Sequence, residues 1–318
     1  MAAPKVSEAE FISLWKQTGG SATEVAKTLK LDVRNVHERR RSIEGRRGVL
    51  LQSFAANSPD KAIKLPPGRL TTDIPNGTVL IGSDAHVWPG SLSTAQRAFI
   101  HFAKELKPSL VILNGDLFDG ATVSRHPAGM WAQERRPNVR QELEACQGFM
   151  DALVKASPGA GRVWTFGNHD ARFEARLAAL TPEYEGVPGF ALKDHFPEWQ
   201  FCMSLLVNDD VVIKHRWHNG IHAVYNNAVK GGKTIVTGHL HSLKVTPWTD
   251  YNGSRYGVDC GTLADVAGSQ FDYLEDNSVN WRAGFVVLTF HNGRMLLPEI
   301  AQVCGDGEVE FRGKVWKV

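Results

Sequence analysis

Three short apolar runs, Val79-Leu80-Ile81-Gly82, Leu110-Val111-Ile112-Leu113 and Arg162-Val163-Trp164-Thr165-Phe166, each lead into a block rich in Asp, Asn and His. Amphipathic stretches over about 93–107 and 139–155 separate them. Runs this short read as buried strands, and the alternation strand, helix, strand, helix, strand calls for right-handed crossovers in a parallel sheet. Such a sheet carries its functional groups at the carboxyl ends of its strands. Further runs at 211–213, 234–236 and 285–288, with a hairpin-like tail, predict an α/β domain of two packed mixed sheets flanked by helices.

The blocks at the strand ends are Asp84-Ala85-His86, Gly115-Asp116, Gly167-Asn168-His169-Asp170, the stretch Lys214-His215-Arg216-Trp217-His218, and Gly238-His239-Leu240-His241. Every block offers ligands for hard or borderline divalent metals. Asp84 and His86 stand two apart, so at an extended strand end they would point the same way. Asp116 can bridge two cations with its two oxygens, and Asn168 supplies a neutral carbonyl oxygen suited to a hard metal. His239 and His241, again two apart, can each serve one metal. Singly, Asp84, Asp116 or Asn168 would be a turn or capping residue; the ordered set argues for a two-metal hydrolytic site.

In order and in kind the five blocks resemble those of the calcineurin-like metallophosphoesterase superfamily, over about residues 78–300. Gly115-Asp116-Leu117-Phe118-Asp119 and the Gly-Asn-His-Asp block look most like the double-strand-break repair nucleases and phage-type members. The resemblance implies a four-layer αββα sandwich with a dinuclear metal centre. Carried over residue by residue, it assigns Asp84, His86, Asp116 and His241 to one metal, and Asp116, Asn168, His239 and a His of the fourth block to the other. His215 directly follows the strand at 211–214 and is preferred for that place, with His218 as the alternative. The resemblance makes His169 the acid or hydrogen-bond donor for the leaving oxygen. Asp170 is expected to orient that imidazole and Asp119 to support a ligand His. His222 and His126 are weaker candidates for contact with a substrate phosphate. The implied reaction is in-line attack on phosphorus by a hydroxide bridging the metals. For a set of Asp, Asn and His ligands Mn²⁺ is the first expectation, with Fe, Zn or Ni possible.

The net charge of +2 hides an asymmetry: residues 1–70 carry +6 and the remainder −4. A basic head suits a polyanionic partner. Within it Ser7-Glu8-Ala9-Glu10 and Ser21-Ala22-Thr23-Glu24 read as capping boxes, and Asp32 can open a third helix. Three short amphipathic helices, the last Arg-rich, resemble a helix-turn-helix domain over 1–48, although the turn before the third helix carries Lys30 where Gly is common. In that reading Arg34, Arg39, Arg40, Arg41, Arg46 and Arg47 contact DNA. A three-helix protein-docking module is the alternative. Pro66-Pro67-Gly68 and Pro75-Asn76-Gly77 mark residues 49–77 as a linker, leaving 78–318 for the metallophosphoesterase body. A helix-turn-helix joined to such a body also resembles arrangements encoded by bacteriophages.

No apolar run approaches the ~20 residues needed to span a bilayer. The four cysteines are scattered, as in a cytoplasmic protein with reduced thiols. The expected function is therefore a DNA phosphodiesterase with no membrane partner. A phosphatase or small-nucleotide phosphodiesterase, whose head serves assembly, is one rival. A DNA-binding regulator with an inactive phosphoesterase fold is another, and it would require an eroded ligand set.

Overall fold

The computed structural model describes residues 6–47, 51, 68–124, 136–184 and 186–318. The chain divides into two compact units, Met1–Pro67 and Gly68–Val318.

The first unit holds three helices: α1 (Glu8–Gln17), α2 (Ala22–Leu29) and α3 (Val33–Arg47). Ser7 and Glu10 form the expected reciprocal capping box, while Ser21 accepts from Glu24 N without the return bond. Lys30 ends α2 in the left-handed conformation at φ 51°, which costs a non-glycine residue about 1–2 kcal/mol. Phe11, Trp15, Val25, Ala26, Val36 and Ile43 make its core.

The second unit begins with a strand where a linker was expected. β1 (Arg69–Thr72) pairs in parallel with β6 (Ser204–Val207) at the edge of a sheet. Proline on either side hides it from a periodicity search, because a short edge strand has too few residues to declare a pattern. The six-stranded sheet continues through β7 (Val211–Ile213), β8 (Thr234–Thr237), β10 (Gly253–Asp259) and β9 (Lys244–Asp250). The nine-stranded sheet is built on β2 (Gly77–Gly82), β3 (Leu110–Asn114), β4 (Gly161–Thr165) and β5 (Gln200–Cys202), all parallel. β11 (Gly284–His291) runs antiparallel to β2 and leads into a meander of β13 (Glu299–Gly305), β14 (Glu308–Phe311) and β15 (Lys314–Lys317); β12 (Arg294–Met295) pairs with β11.

Alternation along the central strands divides their side chains between two cores. Leu80, Val111, Leu113 and Trp164 face a helical layer that supplies Phe99 and Phe102 from α4 (Thr94–Leu106) and Phe149 and Leu153 from α5 (Val139–Ala156). Val79, Ile81, Ile112 and Val163 face the other sheet and meet Val207, Val211, Ile213, Val236 and Val258. A sheet buried on both faces needs apolar residues at consecutive positions, which is why these strands read as unbroken apolar runs. With α7 (Ala223–Gly231) packed on β8, β9 and β10, the unit is a four-layer αββα sandwich. Among the described residues no helix is long and apolar enough to cross a membrane.

Candidate metal centre

All five blocks leave the carboxyl ends of parallel strands: β2, β3 and β4 from one sheet, β7 and β8 from the other. The backbone there is not extended. Asp84 (φ 51°), His86 (36°), Asp116 (52°), His239 (70°) and His241 (55°) all lie in the left-handed region. Asp84 and His86 do converge, but through bonds from their own N–H groups to Gly115 O and Asp116 O, each 2.9 Å. Strain of about 1–3 kcal/mol per such residue is kept only where surroundings over-determine it. Gly115 follows from the same crowding, since at its φ of 81° a Cβ would overlap the His215 ring. A Cβ at Gly238 would overlap the side chains of Ser83 and Asp84.

Two groups of donor atoms form there. Asp84, His86 and His241 make one; Asp116, His215 and His239 make the other, and Asp116 also gathers with His86 and His169. His241 Nε2 lies 3.1 Å from Asp84 Oδ1, and His215 Nε2 lies 3.1 Å from Asp116 Oδ2. His215 Nδ1 donates to Asn114 O at 2.8 Å, which leaves the Nε2 lone pair for the site. His218 is turned away, its Nδ1 on Asn227 Oδ1 at 2.9 Å. His222 is exposed at the start of α7, and His126 lies outside the described residues.

A divalent-metal pair suits these residues. His86 Nε2, Asn168 Oδ1 and His215 Nε2 are buried with no hydrogen-bond partner among the described residues. Each buried polar atom left unsatisfied costs about 1–3 kcal/mol, so the His86 and His215 atoms, each within a carboxylate-containing group, call for a cation. Burial opposes ionisation of Asp84 and Asp116, but His241 beside the first and His215 beside the second outweigh it, and both carboxyls lie below the ordinary range. Burial likewise opposes charging His215, and the carboxylates of Asp116 and Asp84 push it up to about 10, so a cation bound at Nε2 would displace the proton held there.

Asp170 does not do what the sequence suggested. Its fully buried carboxylate accepts the backbone N–H groups of Asp116, Leu117, Phe118 and Gly167 and the indole N–H of Trp164, at 2.8–3.1 Å. It therefore shapes the loop that carries Asp116, and five converging donors leave it no reach to the imidazole. Asp119 orients His169 instead. One oxygen, Oδ1, accepts from His169 Nδ1 at 2.9 Å and from His86 Nδ1 at 2.8 Å, so a single carboxylate fixes a candidate ligand and a candidate acid together. Its two imidazole partners hold Asp119 well below the usual carboxylate range against the opposing effect of burial.

Sequence reasoning missed several groups. Arg172, three residues after His169, donates to His169 Nε2 and to Asp119 O, each at 2.9 Å; that spacing, across the turn that leads into the helix, was the available signal. Buried Glu142 accepts Gly120 N (2.7 Å) and Ala121 N (3.1 Å) behind Asp119. Asp259 accepts the N–H groups of Ser242, Leu243 and Gly261 and so holds the turn after His241. Trp281 and Phe271 wall the His241 side, with ring centroids 4.4 and 5.9 Å from that imidazole. Nothing in the sequence near these four marks them.

A model of the calcineurin-like phosphoesterase domain matches residues 77–281. The chain belongs to the calcineurin-like phosphoesterase family. Members of that family bind divalent metals, and the candidate ligand groups described above lie within the matched span. The fold is similar to that of an archaeal phosphodiesterase, at 16% identity over 70% of this chain and 99% of that one, with a TM-score of 0.36. It is also similar to the YfcE phosphoesterase of E. coli (12% identity, 70% and 97%, TM-score 0.35) and to nuclease MPE of Pseudomonas putida (14%, 76% and 87%, 0.32). No curated protein sequence matches the chain.

In the helical unit the six expected DNA-contacting arginines are mostly engaged. Arg39 stacks over Phe11 and bonds Val6 O, and Arg40 stacks over Trp15. Arg46 and Arg47 both pair with Glu8, and Arg34 with Glu38. Arg41 is exposed and, among the described residues, has no such partner. Exposed pairs of this kind contribute at most about 1 kcal/mol and exchange readily for a phosphate.

Proposed function

We propose that this phosphoesterase is a dinuclear-metal-dependent DNA phosphodiesterase. The observation that carries the hydrolytic reading is the pair of ligand groups, linked through the gathering of His86, Asp116 and His169, with unsatisfied His86 and His215 atoms within them and no erosion of the ligand set. In this reading Asp84, His86, Asp116 and His241 hold one cation, and Asp116, Asn168, His239 and His215 the other. Two bound cations, Mn²⁺ in our assignment, supply Lewis-acid polarisation of the phosphoryl oxygens and a water acidified toward neutral pH.

The remaining work falls to the protein. Asp119 orients both imidazoles. His169 would take up a proton at Nε2 from water once Arg172 has left its present place 2.9 Å from that atom, and then give it to the leaving oxygen. The choice of DNA over a monoester is supported by the basic three-helix unit, whose Arg41 is exposed and whose other arginines, Arg34, Arg46 and Arg47 first, can exchange an intramolecular partner for a phosphate.

The test is hydrolysis by the Mn²⁺-loaded protein of plasmid DNA, bis-p-nitrophenyl phosphate and p-nitrophenyl phosphate, with Asp116→Asn as the blank. Cleavage of plasmid and diester with little monoester turnover supports the proposal. Preference for the monoester with intact plasmid would make the protein a phosphatase, and turnover retained by Asp116→Asn would remove the dinuclear site.

A further inference from the structure

A cavity of ≈ 530 Å³ opens beside Asn168, between the face of α6 (Ala171–Leu180) and the loop that follows β7. Three arginines line it: Arg172 and Arg176 from the helix and Arg216 from the loop. Among the described residues none that lines it is acidic. Arg172 and Arg176 are one helical turn apart, about 6 Å along the axis, and so share a face. Ala171, Ala175 and Ala179 accompany them, and their small side chains leave the space open.

Arg176 and Arg216 are exposed, and among the described residues neither has an ion pair or hydrogen bond. Arg216 follows the candidate ligand His215 directly in the chain. Two guanidinium groups, Arg176 and Arg216, with no carboxylate partner among the described residues, gathered at the rim of a phosphate-hydrolysing site, make an anion site of defined geometry.

We propose that this cavity binds the phosphate next to the scissile one in a polynucleotide strand, with Arg176 and Arg216 as its principal contacts. The proposal rests on the DNA-phosphodiesterase reading and adds to it. A single linkage seated at the metals leaves the strand to continue along the alanine-floored face of α6, where its next charge meets Arg176 and Arg216. Arg172 stands between the two positions and can pass from His169 Nε2 to a phosphate oxygen. The site thus selects a chain of phosphodiesters over an isolated one without reading bases, since every nucleotide presents the same backbone charge.

The experiment compares kcat/KM of the full-length Mn²⁺-loaded protein on d(TpT), on d(TpTpT), and on the two d(TpTpT) analogues in which one linkage is an uncharged methylphosphonate. The same set is run with the double variant Arg176→Ala/Arg216→Ala, whose changes fall on exposed side chains. The wild type should prefer d(TpTpT) to d(TpT) roughly tenfold, the order that two solvent-facing charge pairs allow. One of the two methylphosphonates should erase that preference, and in the double variant it should have no further effect. In metal-free protein, the slope of log Kd against log salt for a single-stranded oligonucleotide should fall by about 0.7 for each guanidinium removed.

A methylphosphonate penalty that persists in the double variant, or an unchanged salt slope, would overturn the assignment. Equal use of d(TpT) and d(TpTpT) by the wild type would overturn the subsite while leaving the diesterase reading intact. Turnover of p-nitrophenyl phosphate with no diester cleaved would remove both.

Discussion

Replacing Asp119 with Asn tests the least conventional feature of the centre, one carboxylate oxygen serving two imidazoles. Oδ1 lies 2.8 Å from His86 Nδ1 and 2.9 Å from His169 Nδ1, and the carboxylate is almost wholly buried. An Asn can keep its oxygen on both donors, but it loses the negative charge that strengthens both hydrogen bonds. It also turns an amide N–H₂ toward Arg172 Nη1, now 3.9 Å from Oδ2. Groups that orient a metal-ligating His contribute about 10–100-fold to affinity or activity. Because Asp119 supports a candidate ligand and a candidate acid at once, two losses should appear. Calorimetric titration with Mn²⁺ should show one of two sites weakened about 10–100-fold. At saturating metal, kcat on bis-p-nitrophenyl phosphate should remain at least about tenfold down, because His169 is held by a weaker, uncharged acceptor. Metal-free protein should be destabilised by about 1–3 kcal/mol in urea. Wild-type metal affinity in the variant, or full recovery of kcat at saturating metal, would refute the shared-carboxylate reasoning.

Three further outcomes follow from other parts of the molecule. Burial, and then the Asp119 charge, push Glu142 from 4.5 up to about 8, so the folded protein holds a proton that the unfolded chain releases. Glu142 therefore contributes stability that is full below pH 4.5 and lost as pH rises through about 8; Glu142→Gln should flatten the fall of Tm over that window, and parallel profiles would refute the assignment. Gly238→Ala forces a Cβ against Ser83 and Asp84 and should cost about 1–3 kcal/mol together with activity; an unshifted melting curve would show that the loop can yield. Deleting residues 1–48 should weaken duplex DNA binding and reduce its salt slope, whereas unchanged binding would leave the helical unit as a protein-docking module.

What the chain determined locally was already visible in its order of residues. Strands buried on both faces must be apolar at consecutive positions, so β2, β3 and β4 announced themselves, and with them the strand ends that carry Asp84, Asp116 and Asn168. Capping at Ser7 and Ser93 is likewise a matter of three residues. Tertiary structure decided the partners. Asp170 and Asp119 are the same residue type, both close to His169 in the fold, and only the path of the Asp116 loop gives one five N–H donors and the other two imidazoles. β1 became a strand because β6, 135 residues on, offered it an edge. The convergence of Arg172, Arg176 and Arg216 joins a helix after β4 to a loop after β7. Hydrogen bonds and charges act over a few ångströms of space, whereas sequence records only distance along the chain. A residue's chemistry can therefore be read early, but what it acts upon emerges only when the two sheets bring their strand ends together.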